Sequence, residues 1–414
     1  MEKNEFIKRR KKYFGLVKNN SVSVFFAGLP KKISFSADYE FIVNKNFLYL
    51  TGISQEGSIL VLTKFKNKCN VTLFISPFDE TKEKWFGKKL TTKEASEISG
   101  ITAVKTLDKY KDFFDKYLKQ KCSVYFESTK EIKLGEELAL STIINNLKTK
   151  FPMVEILDSI PFLRELRSIK SDSEIAALKK AISITKDGIY SAMANSKPGM
   201  FEYETKYLFE YECKRRGSHV LGFPSILASG KNATCLHYPT SLDKIKKGDL
   251  ILCDVGASYE GYSADITRTF PVDGKFTKRQ KEIYEIVLAC NKEMIAFMKP
   301  GMLLKDVKEH AKDFLANECL KHKLIKKAEE ISKYYYHGVG HHLGLDTHDL
   351  SDDKMPLKVG CVITDEPGLY IKEEGIGVRI EDDILIGKNS NVVLTKDVVK
   401  EVKDIEDLMK KNKK

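Results

Sequence analysis

Residues 337–348 read HGVGHHLGLDTH and hold four of the chain's eight histidines. Neutral imidazole is the commonest metal ligand, so this crowding points first to a metal centre. Two familiar motifs do not fit. The third glycine of a G-x-G-x-x-G loop arrives one residue late, at Gly344. Gly338 follows His337 where an H-E-x-x-H zinc site needs glutamate. An exposed glycine-rich turn would explain one imidazole more readily than four. The partners of these histidines are therefore sought elsewhere in the chain.

Two segments offer carboxylates. In LILCDVGASYEGYSADITRTF (250–270), Asp254 shares a strand face with Leu250 and Leu252, ASYEGY supplies a turn, and Asp265 returns with Thr267 on its face. In the second, CVITDEPGLYI (361–371) carries Glu366, GIGVRIEDDILI (375–386) carries Glu381, and KEEG is the turn. Arg379 shares the face of Glu381. Asp382 points away, Asp383 lies farther along, and Asp365 faces the other side, outside the site. Such acids could face solvent, but LILC and VG make the Asp254 strand read as buried. A buried lone carboxylate is expensive unless it is paired or holds a metal. Four carboxylates carry −4, which two divalent cations balance; without cations some acids would stay protonated. An oxygen-rich set with one imidazole is harder than structural zinc sites and suits Mn²⁺, Co²⁺ or Fe²⁺. Two such ions roughly 3.5 Å apart can share a bridging hydroxide and clamp a tetrahedral intermediate. On this reading one histidine is a ligand and the others act on substrate.

What must position these groups is a repeat. KPGM occurs at 197–200 and 299–302, each time between two helix-like segments and ahead of strand-borne acids. This predicts two similar halves, helix–KPGM–helix–sheet, with sheets packed together, helices outside and the site where the halves meet. Ahead of them, SVSVFFAG (21–28), GSILVLT (57–63), NVTLFIS (70–76) and SVYFES (123–128) alternate with helical, lysine-rich stretches, which reads as an α/β domain. The boundary falls near RELRSIKSDSE (164–174), where Ser171 and Glu174 fit a capping box and Ile175, Leu178, Ile182 and Ile189 begin a helix. The expected domains are 1–165 and 166–414, each long enough to bury its own core.

The composition, 42% hydrophobic and 31% charged, is that of a soluble globular chain. No apolar run reaches transmembrane length, and MEKNEFIKRRKK lacks the apolar core of a secretory signal. Eight scattered cysteines without C-x-x-C point to reduced thiols and a cytoplasmic home. The net charge of +12 is concentrated in KRRKK (8–12) and MKKNKK (409–414). Neither run is interleaved with aromatics, so both read as solvated ends. No nucleic-acid or membrane partner is expected.

At this point the motifs resemble a known family. CDVGASYEGYSADITRTFPVDGKFT, HGVGHHLGLDTHD, TDEPGLYI and GIGVRIEDD, in that order, resemble the pita-bread metallopeptidases, and closely their Xaa-Pro aminopeptidase branch (aminopeptidase P and prolidase). SADYEF, FLYLTG and KWFGKKL extend the resemblance through the first domain. It implies an α/β (α+β) fold, with an N-terminal α/β domain and a C-terminal pita-bread (creatinase/aminopeptidase) domain of pseudo-two-fold symmetry. It implies Asp254, Asp265, His341, Glu366 and Glu381 as ligands of two divalent ions, Mn²⁺ first, with Co²⁺, Fe²⁺ or Zn²⁺ as alternatives. His237 and His348 would contact substrate and the scissile carbonyl. His337 and Arg379 would complete the catalytic set, with Glu366 as acid/base partner of the bridging water. Trp85 would border the entrance, and Asp38 would work with Arg379. A homodimer or homotetramer is implied. The chain departs from the pattern at His342, where a bulky aromatic is common, at Asp365, where an apolar residue is usual, and in a short 372–376 loop.

The function implied is hydrolysis of the N-terminal Xaa-Pro bond of peptides. A dipeptidase confined to Xaa-Pro (prolidase) is the alternative, and a catalytically inactive pita-bread peptide-binding module is the alternative of another class. A methionine aminopeptidase would not carry so large a first domain. Creatinase-like enzymes lack the full ligand set, and a metal-free carboxylate hydrolase leaves the charge count and His341 unexplained.

Overall fold

Continuous β-rich runs become central strands because both faces of such strands are covered. In the first unit (Met1–Leu166) the computed structural model, which describes residues 1–127 and 134–412, shows this directly. The elements are α1 (Lys3–Leu16), β1 (Ser21–Phe26), α2 (Lys45–Thr51), β2 (Ile59–Phe65), β3 (Lys68–Ile75), α3 (Glu80–Phe86), α4 (Thr92–Ser99), β4 (Ala103–Thr106), α5 (Tyr110–Leu118), β5 (Cys122–Phe126), α6 (Leu134–Lys150), β6 (Val154–Asp158) and α7 (Ile160–Ser168). The strands form a mixed sheet of order β4-β3-β2-β1-β5-β6. Val22, Val24, Val61, Phe74 and Val124 are buried in its core. The four strands read from sequence are β1, β2, β3 and β5; residue 128 of the last run lies outside the described residues. β4 (AVKT) and β6 (VEILD) were too short and polar to show a strand signal.

The basic run at 8–12 differs from its reading as a solvated end. Lys8, Lys11 and Lys12 are exposed, but Arg9 and Arg10 are buried. Arg9 donates to the Tyr49 carbonyl at 3.1 Å, and Arg10 to those of Leu50 at 2.6 Å and Ser99 at 2.8 Å. These carbonyls end α2 and α4, so the guanidinium groups cap helix C-termini. Residues 413–414 of the other basic run lie outside the described residues.

The second unit (Arg167–Lys414) is built twice over. Its first half comprises α8 (Asp172–Asn195), α9 (Glu202–Arg215), β7 (Ile226–Ser229), β8 (Leu250–Val255), β9 (Ser258–Tyr259), β10 (Tyr262–Ser263) and β11 (Ile266–Pro271). The second comprises α10 (Lys278–Phe297), α11 (Leu304–Lys321), β12 (Val362–Asp365), β13 (Gly368–Ile371), β14 (Ile376–Arg379), β15 (Asp382–Leu385) and β16 (Val392–Val393), followed by α12 (Val402–Asn412). Ser171 caps α8 through the capping box with Glu174. The two KPGM turns are conformational copies. Gly199 and Gly301 both have φ of 94°, a region that favours glycine. Gly199 N–H donates to Ile245 O and Ile245 N–H to Met200 O, both at 2.8 Å; Gly301, Leu357 and Met302 repeat this at the same distances. Each turn thus ties the end of a long helix to the lead-in of its half's sheet.

The halves join through β11. Glu381 N–H donates to Thr267 O at 3.1 Å, and Thr269 Oγ1 donates to Arg379 O at 3.0 Å. Behind this seam Arg268 is fully buried, donating to the Glu381 carbonyl at 2.6 Å and to Asp382 Oδ1 at 2.7 Å. Lys400 also donates to Asp382, at 2.6 Å, and holds its carboxyl well below the usual range together with Arg268 despite burial. No helix among the described residues is long and apolar enough to cross a membrane.

Removing one member of a buried ion pair leaves the other uncompensated, which costs about 3–5 kcal/mol. Arg268→Met should therefore move the urea unfolding midpoint down by a corresponding amount; a midpoint equal to wild type would contradict the role given to this seam.

Candidate metal centre

Asp254 lies inside β8, a strand buried at every position, opposite Thr267 on β11 and Ile226 on β7. The other three acids differ from the sequence reading, which embedded them in strands. Asp265 sits in the break between β10 and β11, Glu366 between β12 and β13, and Glu381 between β14 and β15. Regular pairing is interrupted at these positions. Gly256, just after β8, is another interruption: a Cβ there would lie 1.9 Å from the Ala264 carbonyl oxygen, so only glycine fits.

The glycine–histidine segment runs alongside β12. His341 N–H donates to Thr364 Oγ1 at 3.0 Å, Thr364 N–H to His341 O at 2.9 Å, and Glu366 N–H to Val339 O at 2.9 Å. A Cβ on Gly340 would lie 2.0 Å from Thr364 O, and one on Gly344 would lie 2.1 Å from Asp349 Oδ2. Those two glycines therefore let histidine-bearing backbone approach the sheet and its own loop. Asp349 is held by Arg167 at 2.5 Å and Lys170 at 2.9 Å, all three buried, and its N–H closes the loop on His342 O at 2.8 Å.

Asp254, Asp265, Glu366, Glu381, His237, His337, His341, His348 and Arg379 all line one cavity of about 840 Å³. Single ligand atoms of Asp265, His341 and Glu381 lie within 4.8 Å of one another. His341 Nδ1 faces the His342 carbonyl at 3.0 Å, an acceptor only, so Nδ1 carries a proton and Nε2 points at the acids. Nε2 is 3.3 Å from Asp265 Oδ2 and 3.8 Å from Glu366 Oε1. Thr267 Oγ1 donates to Glu381 Oε2 at 2.7 Å. Arg379 pairs with Asp254 Oδ2, while Asp254 Oδ1 is buried with no hydrogen-bond partner.

The electrostatics follow from crowding. Burial, then the charges of Asp265, Glu366 and Asp254, push the Glu381 carboxyl well up. Burial leads again for Glu366, pushed up to about 7, and for Asp265, pushed up to about 6. Burial pulls His341 down, but the hydrogen bond and charge of Asp265 and the charge of Glu366 outweigh it, raising His341 to about 9. Four acids, one orphaned carboxylate oxygen and one oriented imidazole short of positive charge are the donor set a divalent cation fits.

His337 and His348 are kept neutral. Burial and the Arg379 charge push His337 down to about 4. Its Nε2 meets the Tyr370 hydroxyl at 2.8 Å, and that hydroxyl accepts from Arg379 Nη1 at 3.0 Å. His348 stacks on His341 with ring centroids 4.0 Å apart, and burial with the charge of His341 pushes it down to about 4. Two expected residues lie in the first unit. Trp85, on α3, is 78% exposed, and Asp38 pairs with Lys32 at 2.8 Å.

Some residues carried no readable signal. Tyr370, Thr267 and the Arg167–Lys170–Asp349 clamp act through partners up to 182 positions away. His342 is buried with Nδ1 unpartnered, its ring pushed down to about 4 by burial. Asp365 turns from the cavity to accept from Asn291 of α10 at 3.0 Å.

Comparison with known proteins agrees with this geometry. Residues 176–388 match metallopeptidase family M24, and residues 6–125 match the aminopeptidase P N-terminal domain. The chain is 34% identical to the Xaa-Pro aminopeptidase of Haemophilus influenzae over 99% of this chain and 98% of that one. The Xaa-Pro aminopeptidase of Escherichia coli is 33% identical, over 99% of this chain and 98% of its own. The structure of Escherichia coli aminopeptidase P with the inhibitor Pro-Leu matches with a TM-score of 0.92 and 32% identity, covering 100% of this chain and 99% of that one. A zinc-substituted form of that enzyme with product matches with the same TM-score, 0.92.

A group whose pKa is raised by folding stabilises the fold while protonated and loses that contribution as pH rises through the raised value. In the metal-free chain Glu366 loses its contribution between 4.5 and about 7 and His341 between 6.5 and about 9, so His341 sets the window above pH 7. The histidines held near 4 act oppositely, but only below their unfolded value of 6.5. Metal-free protein should therefore lose melting temperature from about pH 7 to about pH 9. Metal binding requires deprotonated ligands, so the Mn²⁺-induced gain should grow over the same range. A metal-induced gain that shrinks as pH rises would contradict the site.

Proposed function

The chain belongs to metallopeptidase family M24, and from that premise we infer that it is a metallo-aminopeptidase removing the N-terminal residue from peptides with proline second. The observation that carries this is convergence of Asp254, Asp265, His341, Glu366 and Glu381 on one cavity, in a chain alike over its full length to Xaa-Pro aminopeptidases. An intact donor set favours it over an inactive binding module. The full-length aminopeptidase relatives favour it over a dipeptidase.

We assign the five donors to two divalent ions, Mn²⁺ first. Such ions, when bound, supply Lewis acidity toward the scissile carbonyl and a water acidic enough to attack near neutral pH. The chain does the rest. An Xaa-Pro bond has no amide N–H to grip, so recognition must come from shape and from the carbonyl. Phe223, Pro224, Ile226, Leu236 and Pro239 offer the ring an apolar wall. His348, neutral against the His341 ring, offers an N–H to substrate, with His237 also lining the cavity. The Tyr370 hydroxyl fixes His337 and Arg379 relative to one another. Glu366, lining the same cavity, would take the proton of the attacking water and pass it to the leaving ring nitrogen, a poor leaving group unless protonated. Catalysis is assigned to 166–414 and substrate-entrance contacts, through Trp85 and Asp38, to 1–165. A homodimer or homotetramer and cytoplasmic residence complete the proposal, the latter on eight scattered thiols.

Two outcomes test this reading. His341→Ala should lose bound metal, whereas His348→Ala should keep it and turn over about 10²–10⁴-fold more slowly; a metal-free His348→Ala protein would mean the wrong histidine has been made the ligand. Peptides with alanine second should be cleaved about ten-fold or more slowly than those with proline, since a missing part of the ring is worth about 1–3 kcal/mol in an apolar pocket. EDTA should abolish both reactions, and equal rates on the two peptides would defeat the proline assignment.

A further inference from the structure

Two cations, Lys206 and Arg379, line the cavity. Arg379 is committed to Asp254, Thr267 and Tyr370. Lys206 is half-buried and forms no hydrogen bond or ion pair among the described residues. A second group in the same cavity is also unsatisfied. Ser225 is 4% exposed, and its Oγ is buried without a hydrogen-bond partner. An orphaned buried hydroxyl is costly and marks a place where a partner is missing.

Both residues line that cavity from elements packed on one another. Glu202, one helical turn before Lys206 on α9, accepts from Ser229 N–H at 2.7 Å and Ser229 Oγ at 2.8 Å. This pins α9 against β7. Residues four apart share a helix face, so Lys206 lies on the side turned to β7. Ser225 immediately precedes β7, whose Ile226 pairs with Asp254. The wall around them, Phe223, Pro224 and Leu236, is apolar. This wall therefore carries an uncommitted ammonium and hydroxyl, and the C-terminal carboxylate of a short peptide complements both.

We propose that Lys206 and Ser225 form a carboxylate subsite that takes the free C-terminus of a short peptide on the leaving side of the scissile bond. The assignment rests on the aminopeptidase reading above and deepens it: the preferred substrates are peptides short enough for their own terminus to reach Lys206. A charge-assisted hydrogen bond from ammonium to carboxylate is about twice as strong as a neutral one, enough for an affinity difference of about ten-fold.

The test uses the full chain loaded with Mn²⁺ and four substrates: Ala-Pro and Ala-Pro-Ala, each as free acid and as C-terminal amide. The acid should show a KM about ten-fold below that of its amide at one length or both, and the length showing it locates the carboxylate. In Lys206→Met the amide-to-acid KM ratio should fall to near one. In Lys206→Glu it should invert, and Ser225→Ala should lower it part way. A purely structural role for Lys206 would raise both KM values together and leave the ratio standing. Equal KM values for acid and amide at both lengths in the wild type, which requires no variant to fold, would overturn the subsite alone. So would an unchanged ratio in Lys206→Met. If the metal-loaded wild type cleaves none of the four, the aminopeptidase reading falls, and the subsite with it.

Discussion

Four carboxylates around one cavity, three of them buried and Glu366 partly so, are the constraint on which the second unit depends. In isolation each would resist ionisation at that depth, and together they raise one another. Glu381, Glu366 and Asp265 are all pushed upward, with Arg379 the cation in contact, on Asp254. The fold accepts this unfavourable grouping because the seam beneath it is independently secured. Arg268 and Lys400 neutralise Asp382 one residue from Glu381, and Thr267 fixes the Glu381 carboxyl. Preorganised donors of this kind leave little rearrangement for the moment of metal binding.

The histidine segment solves a different problem. It must deliver a metal ligand and a substrate contact seven residues apart, His341 and His348, to one cavity. Backbone hydrogen bonds to β12 place His341, and the buried Arg167–Asp349–Lys170 cluster closes the loop that returns His348 over it. Gly340 and Gly344 occur there for lack of room. The clustering of imidazoles and glycines is thus one requirement, close approach, met twice.

Much of this was legible in sequence where the signal was local. The KPGM copies, the two acid-bearing hairpins and the Ser171 cap depend on neighbouring residues, and each has a direct counterpart in the fold. What was not legible depends on distant partners. Asp265, Glu366 and Glu381 fall in short gaps between strands, which the periodicity of the flanking strands does not reveal, so that periodicity placed these acids in strands. Arg9 and Arg10 read as part of a charged end, because the helix carbonyls they cap lie about 40 and 89 residues away. Tyr370 is an ordinary strand tyrosine until His337 and Arg379 are seen on either side of its hydroxyl. The four acids and one unspecified histidine were read from the strand faces and the charge count, and His341 was singled out by the family motifs; their crowding in one cavity is a fact of the fold.

The central claim is that the buried acid cluster exists to hold divalent metal. The most direct measurement is the metal count per chain by native mass spectrometry, after the metal-free protein has been equilibrated with Mn²⁺ and desalted. The account predicts two ions on the wild type. A wild-type chain that carries no metal yet cleaves Xaa-Pro peptides at its full rate would contradict it.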